Sequence, residues 1–124
     1  MVRLEVAWAN LEPTQNIFQL LYLTRYVDQD IVWAKKHGIY VILEMAQYKW
    51  ATKFSGVGAP DWSVSQYAPN ETGMKAAASN FWVNSTLQGN LAAVWRNIAQ
   101  HYANEPAIAG YDILNEPWIF AEPK

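Results

Sequence analysis

The sequence has no cysteine among its 124 residues. Neither a disulfide scaffold nor a thiolate metal site can be built, and the redox compartment stays open. Charge imbalance is also small. Nine Lys and Arg against eleven Asp and Glu leave a formal net charge of -2, so no broad attraction to nucleic acid or to an anionic membrane follows. No apolar run approaches the roughly 20 residues of a transmembrane segment. The start, Met1-Val2-Arg3-Leu4-Glu5-Val6, lacks a basic region followed by an apolar stretch and is not a signal peptide. Localisation is left open, including an extracellular one for a longer parent. No Gly-x-Gly-x-x-Gly or phosphate loop follows the first apolar run, which argues against a nucleotide-binding α/β domain. No repeat, low-complexity tract or Gly/Ser linker divides the chain, so residues 1–124 are read as one unit.

What is present is apolar and aromatic. With 52% hydrophobic and 15% aromatic residues, the chain is not of the disordered class. Its seven Trp and seven Tyr include core residues. Trp8, Trp50, Trp62 and Trp118, however, fall in segments read as loops or strand ends. At least two of these four are expected to stack on flat apolar faces such as sugar rings.

Three short apolar runs read as strands: Val2 to Ala7, Ile39 to Leu43, and Ile108 to Leu114. The second is nearly continuous and β-branched, as in a strand buried on both faces of a parallel sheet. Two amphipathic helices separate them. Leu20, Leu23, Val27, Ile31 and Ala34 form one stripe, and Leu87, Leu91, Val94, Ile98 and Tyr102 the other. Lys35, Lys36 and His37 suit the first helix's C-terminal dipole, and Gly38 can cap it with positive φ. The second helix ends near Asn104, and Pro106 prevents its continuation. His101, close to that end, reads as a capping or solvent-facing residue rather than a metal ligand.

Alternating strands and helices predict a parallel α/β sheet with right-handed crossovers, three strands side by side and both helices on one face. The other face then needs cover, and a closed barrel supplies it as a packed interior. The expected architecture is a partial (β/α)8 barrel with three parallel strands, two main helices and a long loop after the second strand. That loop, residues 45 to about 83, is rich in Gly, Pro, Ser and Asn and is far longer than a usual βα connection.

The strongest local signal is Gly110-Tyr111-Asp112-Ile113-Leu114-Asn115-Glu116-Pro117. A buried strand runs into an Asn-Glu pair, and Pro117 stops regular pairing. A glutamate at the C-terminal end of a parallel strand points into the mouth of the sheet. Desolvation there would keep it protonated near neutral pH, as a general acid requires.

This segment resembles the acid/base signature of glycoside hydrolase family 5, in the clan of barrel glycosidases. Val2-Arg3-Leu4 with Trp8-Ala9-Asn10-Leu11-Glu12-Pro13 resembles that family's second strand and following loop. Trp33 through Leu43 resembles its second helix and third strand. Gly56-Val57-Gly58-Ala59-Pro60-Asp61-Trp62 resembles a loop of the endoglycoceramidase-like branch, and Phe81-Trp82, Trp95-Arg96 and Ile98-Ala99 resemble the third-helix region. The resemblance covers nearly the whole chain, as strands two to four. It implies hydrolysis of a β-linked glucoside, glycan or glycolipid by double displacement, with neither metal nor cofactor. Glu116 would be the acid/base, Asn115 would bond the sugar 2-hydroxyl, and Arg3 would lie beside the nucleophile. Gln47, Trp8, Trp50, Trp62 and Trp118 are the expected substrate-binding residues.

Two departures from the family bear on this. A barrel of this kind needs about 250 residues, and the glutamate nucleophile of the seventh strand has no counterpart here. Neither Glu105 nor Glu122 is placed to replace it, so the isolated chain is expected to be inactive. The strand end Leu43-Glu44-Met45-Ala46-Gln47 carries Ala46 where the family has a sugar-binding histidine, and Glu44 is read as structural. The unpaired sheet edges predict association with further copies of the chain or with the remaining barrel segments. A non-catalytic, self-assembling partial barrel or carbohydrate-binding module is the alternative reading. Asn70-Glu71-Thr72 and Asn84-Ser85-Thr86 would permit glycosylation on a eukaryotic secretory route.

Overall fold

The computed structural model describes residues 1–117. Its sheet has three parallel strands in the order β1-β2-β3, namely Val2–Val6, Val41–Ala46 and Ile108–Asn115. Leu4 pairs with Leu43 and Leu43 with Tyr111, so chain order and spatial order coincide. The second strand lies slightly later than its apolar run suggests: Ile39 and Tyr40 precede it, and Glu44, Met45 and Ala46 belong to the strand.

One face of the sheet is packed. Val41, Leu43 and Met45 point into the core and are at most 1% exposed. Burying each such side chain is worth roughly 1.5–3 kcal/mol. Ile31 and Ala34 of one helix and Leu91, Val94 and Ile98 of another share that core. The opposite face carries Arg3 and Glu5, both exposed, with Glu44 and Ala46 buried between the neighbouring strands. This is the open inner face expected of a partial barrel.

The first crossover begins with a single turn, α1 (Trp8–Leu11). It continues as α2 (Leu20–Tyr22), a π-helical turn over Leu23–Val27, and α3 (Asp28–Lys36). The π turn shifts the phase of the helix while keeping both Leu23 and Val27 in the core. Gly38, at φ +64°, closes α3 with its N–H on the Lys35 carbonyl, as its position suggests.

The second crossover differs from expectation. Residues 45 to 83 are not one long loop. They contain a 3-10 turn (Thr52–Phe54), α4 (Asp61–Val64) and a full helix, α5 (Glu71–Val83), before α6 (Ser85–His101). Gly73, Ser79 and Asn80 hide α5 in the composition, but Met74, Ala77, Ala78 and Phe81 give it a buried stripe at helical spacing. Gly73 is required there, because a Cβ would fall 2.0 Å from the Ala68 carbonyl oxygen. Asn70 and Asn84, the two sequon asparagines, cap α5 and α6 through their side-chain oxygens. No helix among the described residues is long and apolar enough to cross a membrane.

Candidate active site

Because the strands are parallel, their C-terminal ends lie along one rim, with the β2–β3 register shifted by irregularities between Val41 and Ile42 and between Glu44 and Ala46. Val6 aligns with Met45, and Ala46 with Asn115. Along the open face, Glu5, Glu44 and Asp112 stand in one row across the sheet. Arg3 reaches forward into this row. Its Nε pairs with Glu44 Oε2 at 2.5 Å, and its Nη2 donates to Asp112 Oδ2 and Asn115 Oδ1, both at 2.8 Å.

The Glu44 side chain is only 4% exposed, against 53% for Arg3. A carboxylate this deep needs a partner, and the guanidinium supplies charge and hydrogen bonds together. With Asn115 Oδ1 accepting from Arg3, the amide NH2 is left as a donor over the open face. Arg3 and Asn115 are therefore brought together. Glu44, read only as structural, and Asp112, not considered for the site, prove to be what holds Arg3. Strand alternation put Glu44 on the Arg3 face; no local sequence pattern marked the contact itself.

Glu116 ends β3 in the left-handed region, at φ +48°. Such a conformation costs a non-glycine residue on the order of 1 kcal/mol. It turns the side chain off the strand at the rim. The expected desolvation is not met: Glu116 is exposed, because three strands leave the inner face bare and the described residues offer no wall around it. Ala46, where the resemblance implied a histidine, is buried beside Asn115.

The aromatic candidates divide. Trp8 is 2% exposed and Trp50 4%, so neither ring offers a face to a sugar; the stacking reading is corrected for both. Trp8 meets Trp62 edge-on at 5.7 Å and donates from Nε1 to Glu12 Oε2. Trp50 packs on Phe81 at 5.4 Å. Gln47 is corrected likewise. It is buried, donates to the Trp50 carbonyl, and lies so close to Gly58 that a Cβ there would meet its amide at 2.3 Å. It holds the loop instead of facing the rim. Trp62 keeps part of its ring accessible while its Nε1 donates to the Glu12 carbonyl. Trp118 lies outside the described residues.

Sequence reading missed the anchor beneath these rings. Glu12, 3% exposed, accepts hydrogen bonds from Trp8 Nε1, the Asn16 N–H and Asn90 Nδ2. It ties the loop after β1 to α6. A glutamate before Pro13, four residues after a tryptophan, was the available signal. His101 neither caps nor faces solvent alone; its Nε2 lies 2.9 Å from Asp28. Among the described residues no group of three His, Asp or Glu side chains is placed to hold a metal ion.

Comparison with known proteins places this geometry in a family. The model of the cellulase family, glycosyl hydrolase family 5, matches residues 1–119. An endoglycoceramidase of Cyanea nozakii is 26% identical over 98% of this chain and 32% of its own length. A beta-xylosidase of Phanerodontia chrysosporium is 31% identical over 75% of this chain and 17% of its own. Among solved structures, endo-glycoceramidase II from Rhodococcus sp., in an iminocyclitol complex, superposes with TM-score 0.84 at 27% identity over 94% of this chain and 31% of that one. The same Rhodococcus enzyme in complex with ganglioside GM3 gives 0.79. The chain thus spans at most about a third of the length of these relatives.

Proposed function

Because the chain belongs to the cellulase family, glycosyl hydrolase family 5, we propose that it carries the acid/base side of a retaining β-glycosidase site for glycolipids. The observation that carries this reading is the end of β3, where a left-handed Glu116 follows an asparagine oriented by Arg3. In this reading Glu116 protonates the glycosidic oxygen as its bond to the anomeric carbon breaks. A second carboxylate, from outside the described residues and about 5 Å from that of Glu116, bonds to this carbon. Glu116 then takes a proton from the water that displaces this carboxylate, and the sugar leaves with its configuration retained. Asn115 donates its free amide hydrogens to the sugar 2-hydroxyl. Trp62 is the described aromatic residue left to line a sugar, with Trp118 beyond it in sequence. No metal or cofactor is needed for these steps.

The second carboxylate cannot be Glu44 or Asp112, since both are paired with Arg3. Glu12 is buried and holds three donors. The family resemblance puts the nucleophile on the seventh strand, outside the described residues, so the chain alone is expected to bind sugar without hydrolysing it. The free edges of β1 and β3 are where strands of another copy, or of the rest of a barrel, would pair. The glycolipid preference rests on the endoglycoceramidase relatives and on the Gly56–Trp62 stretch. A β-xyloside is the second reading, favoured by the 31% identity to the xylosidase.

The test uses the polypeptide that carries these residues at its natural length, assayed on a fluorescent glucosylceramide and an aryl β-xyloside. Glu116→Gln is expected to lower kcat/KM on the glycolipid by about 100-fold or more with little change in binding. Unchanged turnover in that variant overturns the acid/base role. Preference for the xyloside selects the second reading. Hydrolysis by the isolated 124-residue chain would refute the requirement for an outside carboxylate.

A further inference from the structure

The chain leaving β2 carries an aromatic side chain for which the fold supplies no internal role. Tyr48 is 49% exposed and takes no part in the hydrophobic core. Its hydroxyl has no hydrogen-bond partner among the described residues. Its neighbours behave differently: Gln47 and Trp50 are buried, and Gln47 donates to the Trp50 carbonyl. Alternation along an extended chain accounts for the split. Glu44, paired with Arg3, and then Ala46 lie on the open side of the sheet. Gln47 faces the other way, and Tyr48 returns to the open side.

The position is held rigidly. The Tyr48 N–H donates to the Val57 carbonyl at 2.9 Å, and the Val57 N–H donates to the Tyr48 carbonyl at 2.7 Å. Gly56 lies so close that a Cβ there would be 2.1 Å from the Tyr48 carbonyl oxygen. Lys49 and Trp50 then take left-handed φ, of 48° and 67°, and turn the chain back. Such angles persist in non-glycine residues only where the surroundings fix them. Lys49 sets its ammonium over the Tyr48 ring, 5.4 Å from the centroid, and this cation–π contact steadies the ring. A ring on so firm a support loses little freedom when a ligand rests on it.

Its place along the strand gives it a task. Ala46 sits opposite Asn115, which in the reading above holds the 2-hydroxyl of the reacting sugar. Tyr48 lies two residues further out, about 7 Å along an extended chain, a distance comparable with one sugar unit. Other exposed aromatic residues lie away from this rim: Trp33 is on α3, and Tyr40 precedes β2 at the opposite end of the sheet.

We propose that Tyr48 is a specificity residue, whose ring carries the sugar unit next to the one held by Asn115. The electron-rich face of an aromatic ring suits the apolar C–H face of a pyranose, and the free phenol can bond one of its hydroxyls. This rests on the glycosidase reading and deepens it: the rim selects a glycan of two or more units over a single sugar.

The test is steady-state hydrolysis of an aryl β-lactoside and an aryl β-glucoside by the protein at its natural length. Tyr48→Ala is expected to raise KM for the lactoside about fivefold, the scale of a single aromatic contact. Its kcat should stay unchanged, and so should both constants for the glucoside. Tyr48→Gln, which keeps the reach of the side chain without the ring, should behave in the same way. Tyr48→Phe, which keeps the ring, should retain most of the lactoside affinity. Circular dichroism checks that each variant folds. An unchanged lactoside KM in Tyr48→Ala and Tyr48→Gln overturns the inference and leaves the glycosidase reading intact. So does an equal rise for both substrates, or a Tyr48→Phe variant as impaired as Tyr48→Ala. Hydrolysis of neither substrate by the unaltered protein overturns both.

Discussion

Replacing Arg3 with methionine tests the electrostatic arrangement on the open face. Among the described residues Arg3 is the only partner of the Glu44 carboxylate, whose side chain is 4% exposed. Breaking a buried pair by removing one member typically costs about 3–5 kcal/mol, because the other charge is left uncompensated. The Arg3 side chain is 53% exposed, so water can reach part of the vacated space and soften the loss. Its second acid, Asp112, is wetter at 35% and would lose little, as exposed pairs do. The expected destabilisation for Arg3→Met is therefore about 2 kcal/mol, seen as a lower urea midpoint with an unchanged slope. Replacing Glu44 with methionine as well removes the stranded charge, and the double variant should recover most of the loss. If the double variant is no more stable than Arg3→Met, the cost does not come from an uncompensated Glu44 and the reasoning fails.

Two glycines should respond oppositely to alanine. Gly89 is exposed within α6 with nothing within 4 Å of a built Cβ, so Gly89→Ala should raise stability by about 0.5–1 kcal/mol in urea unfolding. Gly56→Ala, whose Cβ would strike the Tyr48 backbone, should cost more than about 2 kcal/mol by the same measurement. Burial, and then the hydrogen bond to Asp28, hold the Tyr102 hydroxyl well above its ordinary pKa of 10.0. The folded state keeps this proton where the unfolded chain releases it. The contribution is therefore complete below about pH 10 and is lost progressively as pH rises beyond it. Tyr102→Phe should flatten this alkaline decline in urea midpoint, at a cost of about 1 kcal/mol at neutral pH for the lost hydrogen bond.

The strands and the two crossover helices were legible because burial imposes its own period. Val41, Leu43 and Met45 face one packed layer, and the stripe from Leu87 to Ile98 recurs every three or four residues. Helix α5 was illegible for a related reason. Its buried side is built mostly from Gly73, Ala77 and Ala78, small residues that let it pack closely but barely register as an apolar stripe. The asparagines at 70 and 84 looked like loop residues or sequons, whereas their oxygens accept the first N–H groups of helices. The π turn at Leu23–Val27 could not be read either, since an apolar stripe tolerates one shifted turn.

At the rim, the motif around Glu116 was local and hence readable, while its supports were not. Arg3 and Asn115 are 112 positions apart, and only the register of the parallel strands sets one beside the other. Tryptophans misled for the opposite reason. A tryptophan near a strand end can face either a ligand or the core, and its large apolar area draws it inward wherever an acceptor exists for the indole N–H. Trp8 has such an acceptor in Glu12, and Trp50 has Phe81 to pack on, so both went to the core. The same logic explains the exposure of Glu116. A carboxylate is desolvated only by what surrounds it, and three strands do not surround their own inner face.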